Sequence, residues 1–183
     1  MSAESDRFRR IAADFTRIVD AVSPDAWDAP APPEGWRARD VIGHLVEWFP
    51  GLFLDTWGIA RPAFPSIEDD PAGAWVVLRD VVQASLDDPE LAGVERDILP
   101  GTMTFATAVD RLGTSDVFMH QWDLARATGG DERLDPDEVH ALLVEMEPLD
   151  EILRRSGHYG PRVEVPADAD EQTRLVAFIG RQP

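Results

Sequence analysis

The segment Ser115-Asp116-Val117-Phe118-Met119-His120-Gln121-Trp122-Asp123 sets a carboxylate and an imidazole four residues apart. On an α-helix that spacing is about one turn, so both side chains reach one ion, as two histidines at i and i+4 do in zinc sites. A third ligand is offered by His44, which lies between Val41 and Trp48 on another apolar stripe. Two facing helices would bring it opposite the pair. Three protein ligands on a divalent ion leave a position open for water or substrate, the arrangement of a catalytic rather than a structural site.

The positions argue for a partner of some kind. Phe105, Val109, Leu112, Asp116, Met119, His120 and Asp123 follow one another mostly at three and four, so the polar members fall in line with a core stripe. An unpaired buried charge costs roughly several kcal/mol, and metal coordination would satisfy both groups. The competing reading is a buried Asp116–His120 ion pair, with His44 a hydrogen-bonded core residue and Asp123 and Arg126 solvated. The other two histidines are expected at the surface: His140 lies off its helical stripe, and His158 sits in Gly157-His158-Tyr159-Gly160 with no spaced partner. Trp36, Trp48 and Trp122, near the proposed ligands in sequence, are expected in the core or as walls of a small apolar pocket.

The elements that must position these residues are helical. Phe8, Ile11, Ala12, Phe15, Ile18, Val19 and Val22 mark one buried face of a first helix over Asp6 to Val22. Ser23-Pro24 allows a short turn before Pro30, Pro32, Pro33 and Gly35 force an extended loop. A second helix runs from Arg37 to about Trp57, kinked or split at Pro50. Asp70-Pro71 opens a third, carrying Trp75, Leu78, Val81, Val82 and Leu86. Residues 88–103 show no period and predict a loop with room for an extended stretch. The fourth helix, Thr104 to Thr128, stops at Gly129-Gly130. Asp135-Pro136-Asp137-Glu138 supplies a cap, a proline and an acid for a fifth, with Val139, Leu142, Leu143, Met146 and Leu149 inside. Val163-Glu164-Val165-Pro166 has the composition of a short strand, and Leu175, Val176, Phe178 and Ile179 are apolar enough to dock the tail.

With 183 residues, 44% of them hydrophobic, the chain is the size of one domain and has no apolar run near the roughly 20 residues needed to span a bilayer. Residues 1–155 are expected to form an all-α four-helix bundle and 156–183 a tail packed on it. A net charge of −18 opposes nucleic acid and anionic membranes as partners. The N-terminus lacks the apolar stretch of a secretory signal, so a cytoplasmic protein is expected. The absence of cysteine removes disulfides, thiolate metal sites and a cysteine nucleophile, and any thiol chemistry must use a thiol from outside.

Two stretches, Trp36-Arg37-Ala38-Arg39-Asp40-Val41-Ile42-Gly43-His44-Leu45-Val46 and Asp116-Val117-Phe118-Met119-His120-Gln121-Trp122-Asp123-Leu124-Ala125-Arg126-Ala127-Thr128-Gly129, resemble the metal-binding domain of mycothiol-dependent maleylpyruvate isomerases, within the wider DinB-like superfamily. The resemblance covers most of the chain. It implies an up-down-down-up four-helix bundle and a divalent ion held by a histidine of the second helix and an acid-x-x-x-His pair of the fourth, here His44, Asp116 and His120. The isomerases carry a further C-terminal domain where this chain has a short tail, and glutamate or histidine is frequent where Asp116 stands.

Two functions of different class follow. One is a metal-dependent enzyme of the thiol-dependent transferase or isomerase type, in which the ion holds an external low-molecular-weight thiol such as mycothiol as thiolate, or activates water. The other is a non-catalytic bundle that binds a metal or small ligand, or pairs as a homodimer. Imidazole and carboxylate ligands suit zinc foremost, and accept nickel, iron or manganese.

Overall fold

The computed structural model describes residues 2–98, 101–157 and 159–183, and His158 lies outside them. Helix α1, Ala3–Ala21, starts where the Ser2 side chain accepts a hydrogen bond from the Ser5 amide, and it buries Phe8, Ile11, Ala12, Phe15 and Val19 as the periodicity predicts. The Pro24–Asp28 turn has no side-chain cap from Ser23. Past it, Ala31 N–H donates to Trp36 O at 2.8 Å and Pro30 bridges to Arg37, which closes the proline-rich loop and sets the start of α2, Ala38–Phe49.

Pro50 does not split this helix. The chain passes through a wide π turn, Pro50–Leu54, and resumes α geometry at Asp55–Trp57. Proline brings no N–H and crowds the carbonyl four residues back, and a widened turn relieves both. Helix α3, Pro71–Asp87, is capped by the Asp70 carboxylate on the Gly73 amide at 2.8 Å. The aperiodic stretch that follows holds one helical turn, Pro89–Ala92, and an antiparallel hairpin of β1, Glu95–Ile98, and β2, Gly101–Thr104.

The fourth helical segment is interrupted as well: an α turn at Phe105–Ala108, a π turn at Val109–Thr114, and then α4, Ser115–Thr128, ended by Gly129 in the left-handed region. The two π turns lean on each other. A Cβ at Gly113 would sit 2.6 Å from Phe49 Cζ and 3.1 Å from Phe53 Cε2, so only glycine lets the two helices approach this closely.

Helix α5, Pro136–Met146, is followed by α6, Asp150–Ser156, and α7, Glu171–Phe178. Two expectations fail here. Leu149 is exposed, because the chain turns out of α5 at Pro148. The Glu138 side chain, in the first turn as expected, reaches Arg7 and Arg10 of α1. Val163–Pro166 forms no strand: Val163 N–H donates to Ala177 O, and Pro166 has no N–H to extend the ladder.

Helix α1 packs on α3 and α4, and α2 packs on the same two, so consecutive α1 and α2 sit on a diagonal. Direction follows from paired residues. Ser5 meets Asp87 while Thr16 meets Trp75, so α1 and α3 are antiparallel. Arg7 meets Asp110 and Ile11 meets Gln121, so α1 and the fourth segment are parallel. Trp36 reaches His120 while Phe49 reaches Gly113, so α2 runs against α4. The result is an all-α, up-down-down-up bundle of DinB-like type. Leu175, Val176, Phe178 and Ile179 of the tail join the same core. Among the described residues, no helix is long and apolar enough to cross a membrane.

Candidate metal centre

His44 sits in the middle of α2, Asp116 in the first turn of α4, and His120 one turn later on the same face. Antiparallel packing of the two helices brings the three together although 72 residues separate His44 from Asp116. His44 Nε2 lies 3.2 Å from Asp116 Oδ2, and His120 Nε2 lies 3.6 Å from Asp116 Oδ1. One donor atom from each residue falls within 4.8 Å of the other two. Donors bound to one tetrahedral zinc ion at 2.0–2.1 Å stand about 3.3 Å apart, so these residues fit a divalent cation with small adjustment. Two imidazoles and a carboxylate are also the right chemistry for zinc, nickel, iron or manganese.

The two sides of the centre differ in solvent access. The side chains of His44 and Asp116 are 29% and 20% exposed, whereas His120 is 6% exposed. Behind His120 lies Asp123, with no exposed side-chain surface, accepting a hydrogen bond from His120 Nδ1 at 2.9 Å. That bond places a ring proton on Nδ1 and leaves Nε2 on the side of Asp116 and His44, the outer carboxylate–histidine contact typical of metal ligands. Asp123 is in turn gripped by Arg181, whose Nε donates to Oδ1 at 2.9 Å and whose Nη2 donates to Oδ2 at 3.1 Å.

The electrostatics follow from this chain of contacts. Burial works against the Asp123 carboxylate, but the His120 hydrogen bond and charge, with Arg181, outweigh it and hold its pKa below the ordinary value. Burial likewise disfavours a charged His120, yet Asp116 and the Asp123 hydrogen bond overcome it, so without an ion this imidazole binds a proton more tightly than usual. Tyr159, from the tail, is close enough to Asp116 to feel its charge. Burial first, and that charge second, push the Tyr159 hydroxyl up to about 12, so a neutral phenol stands beside the centre.

Tryptophans wall the open side. Trp36 lies 5.3 Å from the His44 ring and 5.9 Å from the His120 ring, and Trp48 stacks on His44 at 5.9 Å. Trp122 is buried, with Arg126 over its face. His140 is exposed and pairs with Glu171, away from the centre.

Asp123, in line with the core stripe in one reading of the sequence and solvated in the competing one, is found in the interior. Its position three residues after His120, on the same stripe, was the available signal. Arg126 is partly exposed and pairs with Glu132, as a solvated residue does. Neither Tyr159 nor Arg181 carried a periodic signal.

Two uncharacterized proteins of Mycobacterium tuberculosis, from strains CDC 1551 / Oshkosh and ATCC 25618 / H37Rv, are each 26% identical over 174 residues, covering 91% of this chain and 91% of their own. No solved structure gives a significant match. The model of the mycothiol maleylpyruvate isomerase N-terminal domain matches residues 8–125, a span that holds His44, Asp116, His120 and Asp123 and ends before Tyr159 and Arg181. With more than half of its length inside that match and a DinB-like bundle around the convergent donors, the chain belongs to the mycothiol maleylpyruvate isomerase N-terminal domain family, a family of metal-binding domains of mycothiol-related enzymes.

Proposed function

We propose that the protein is a metal-dependent, thiol-dependent transferase or isomerase in which His44, Asp116 and His120 hold a divalent ion, zinc foremost. The observation that carries this reading is the convergence of three ligand atoms on a partly open face, with one imidazole locked from behind by a buried carboxylate. A divalent ion held there supplies Lewis acidity, stabilising a bound thiol as thiolate at neutral pH. The chain has no cysteine, so the nucleophilic sulfur comes from a small thiol, of which mycothiol is the one that the family name supports. Reduced thiol pools of this kind belong to the cytoplasm, the compartment proposed for the protein.

The chain's own residues have three tasks in this reading. His44 and Asp116, at the open side, fix where the thiol and its electrophile meet. Trp36 and Trp48 present flat apolar surface to the carbon skeleton of the electrophile and exclude water around the sulfur. The Tyr159 hydroxyl, protonated at neutral pH, can donate to an oxygen that gains charge during addition.

The test is elemental analysis of protein purified without a metal-binding tag, followed by cobalt substitution and titration with mycothiol, glutathione and cysteine. Near-stoichiometric metal, lost in His44→Ala, and a sulfur-to-cobalt charge-transfer band on adding thiol are expected. Metal without any thiol band would leave a metal-binding module, and wild-type protein that takes up no zinc, nickel, iron or manganese would overturn the reading.

A further inference from the structure

The family match ends at residue 125, yet the contact that orients His120 is completed by Arg181, 58 residues beyond Asp123. The route by which the chain delivers this arginine is specific. The last turn of α7 closes with Gly180 N–H on Ala177 O at 3.1 Å and Arg181 N–H on Val176 O at 3.0 Å. Gly180 takes a φ of 83°, in the left-handed region, and a Cβ there would stand 3.0 Å from the Gly160 backbone. Arg154 adds hydrogen bonds to the carbonyls of Gly160 and Phe178, tying the two strands of the tail together at this crossing. A left-handed helix end at Gly180, packed on Gly160, and the Arg154 contacts together set the path on which this side chain turns inward. Its side chain, only 18% exposed, spends Nε and Nη2 on a carboxylate with no solvent access.

We propose that Arg181 is a positioning residue of the metal centre, acting through Asp123 to fix the ring orientation and the Nδ1–H tautomer of His120. The inference rests on the metal-site reading for its purpose, though not for its geometry. Asp123 has two oxygens and His120 occupies only one of them. With Arg181 in place both are held, the carboxylate cannot rotate, and the His120 ring has one direction in which to point Nε2. Without it, a buried carboxylate free to turn about its Cβ–Cγ bond would release the ring. The C-terminal residues thus belong to the centre itself, in a chain whose family match stops short of them.

The experiment compares wild type with Arg181→Met and Arg181→Lys. The first readout is the imidazole N–H resonance of His120 in ion-free protein at alkaline pH, with its tautomer from long-range nitrogen–proton correlations. The second is zinc affinity by competition with a chromophoric chelator, with circular dichroism as the control for folding. Wild type should show a protected Nδ1–H. Arg181→Met should lose it and bind zinc about 10–100-fold more weakly, the usual effect of removing an outer contact, and Arg181→Lys should recover part of both. Should Arg181→Met fail to fold, Arg181→Gln, neutral but able to donate to one oxygen, carries the same comparison. A folded neutral variant with the wild-type His120 signal and unchanged zinc affinity overturns the proposal. Wild type that shows the Arg181-dependent Nδ1–H signal but binds no zinc would refute the metal reading and leave the positioning role standing.

Discussion

The bundle contains two buried acids gripped by arginine, and they end in opposite states of completion. Glu138 accepts from Arg7 Nε at 2.9 Å and Arg7 Nη2 at 2.8 Å on one oxygen and from Arg10 on the other, while Arg7 Nη1 goes on to Asp110 at 2.9 Å. Both carboxylate oxygens of Glu138 are taken by arginine, and the cluster ties α1 to α5 and to the π turn before α4. Asp123 is just as well held by Arg181 and His120, but the chain of contacts runs on to His120 Nε2, which stands 3.6 Å from Asp116 Oδ1, longer than a hydrogen bond. The first cluster is a clamp between helices. The second ends in an imidazole nitrogen that faces two more donor atoms, the arrangement on which the proposed metal site rests.

That contrast can be broken most directly at Asp116. Asp116→Asn should weaken zinc binding by at least about 100-fold, more than loss of an outer contact does, and leave the thermal midpoint of the ion-free protein close to wild type. Isothermal titration with zinc and a melting curve check both halves. Glu138→Ala should do the reverse: a loss of about 3 kcal/mol in stability, since two arginines would face a partly buried space without their anion, and zinc affinity within a factor of about two by the additivity of distant sites. Denaturant unfolding beside zinc titration tests it, and a large change in zinc binding would show the two clusters to be coupled.

A change of pH sharpens the difference further. The raised pKa of His120 contributes stability to the ion-free fold at pH values below the unfolded imidazole value, and that contribution is lost as pH rises through the folded value. Zinc must displace this proton, so the rise in melting temperature on adding zinc should be larger near about pH 8 than near about pH 6, on either side of the ordinary imidazole pKa. Scanning calorimetry with and without zinc at the two pH values decides it. Glu138, whose pKa burial would raise but Arg7 and Arg10 lower, contributes in the opposite sense, losing its stabilisation only as pH falls through its depressed value. Gly180→Ala should cost about 1–2 kcal/mol from the positive φ and loosen Arg181, weakening zinc less than Asp116→Asn does. The smallest effect is expected for His140→Ala, an exposed pair with Glu171, at less than about 0.5 kcal/mol and with no change in zinc binding.

Much of the fold was legible in sequence because helices announce themselves locally. The stripes of α1 and α3, the Asp70 and Asp135 caps and the Gly129 stop all appear where periodicity and capping chemistry put them. The two π turns did not. A π turn inserts one residue's worth of rotation without a composition of its own, and here it is Pro50 on one helix and the approach of Phe49 to Gly113 on the other that call for it. Asp123 shows the same limit at a single residue. Its place on the stripe was visible, but whether an aspartate there faces water or the interior depends on what the rest of the chain lays over it, and that is the tail.

The sequence by itself determined that Asp116 and His120 share one face one turn apart, that no thiol of the chain's own can take part, and that the molecule is a helical bundle. These follow from helical periodicity and composition, which act over a few residues. Only the tertiary structure decided that His44 meets this pair from 72 residues away, that Asp123 is enclosed, and that Arg181 reaches it across 58 residues. The reason is physical: the side-chain period sets which way a residue points from its own helix, while the partner it finds is set by helix order, by the register that the π turns shift, and by the path that Gly180 imposes on the end of the chain.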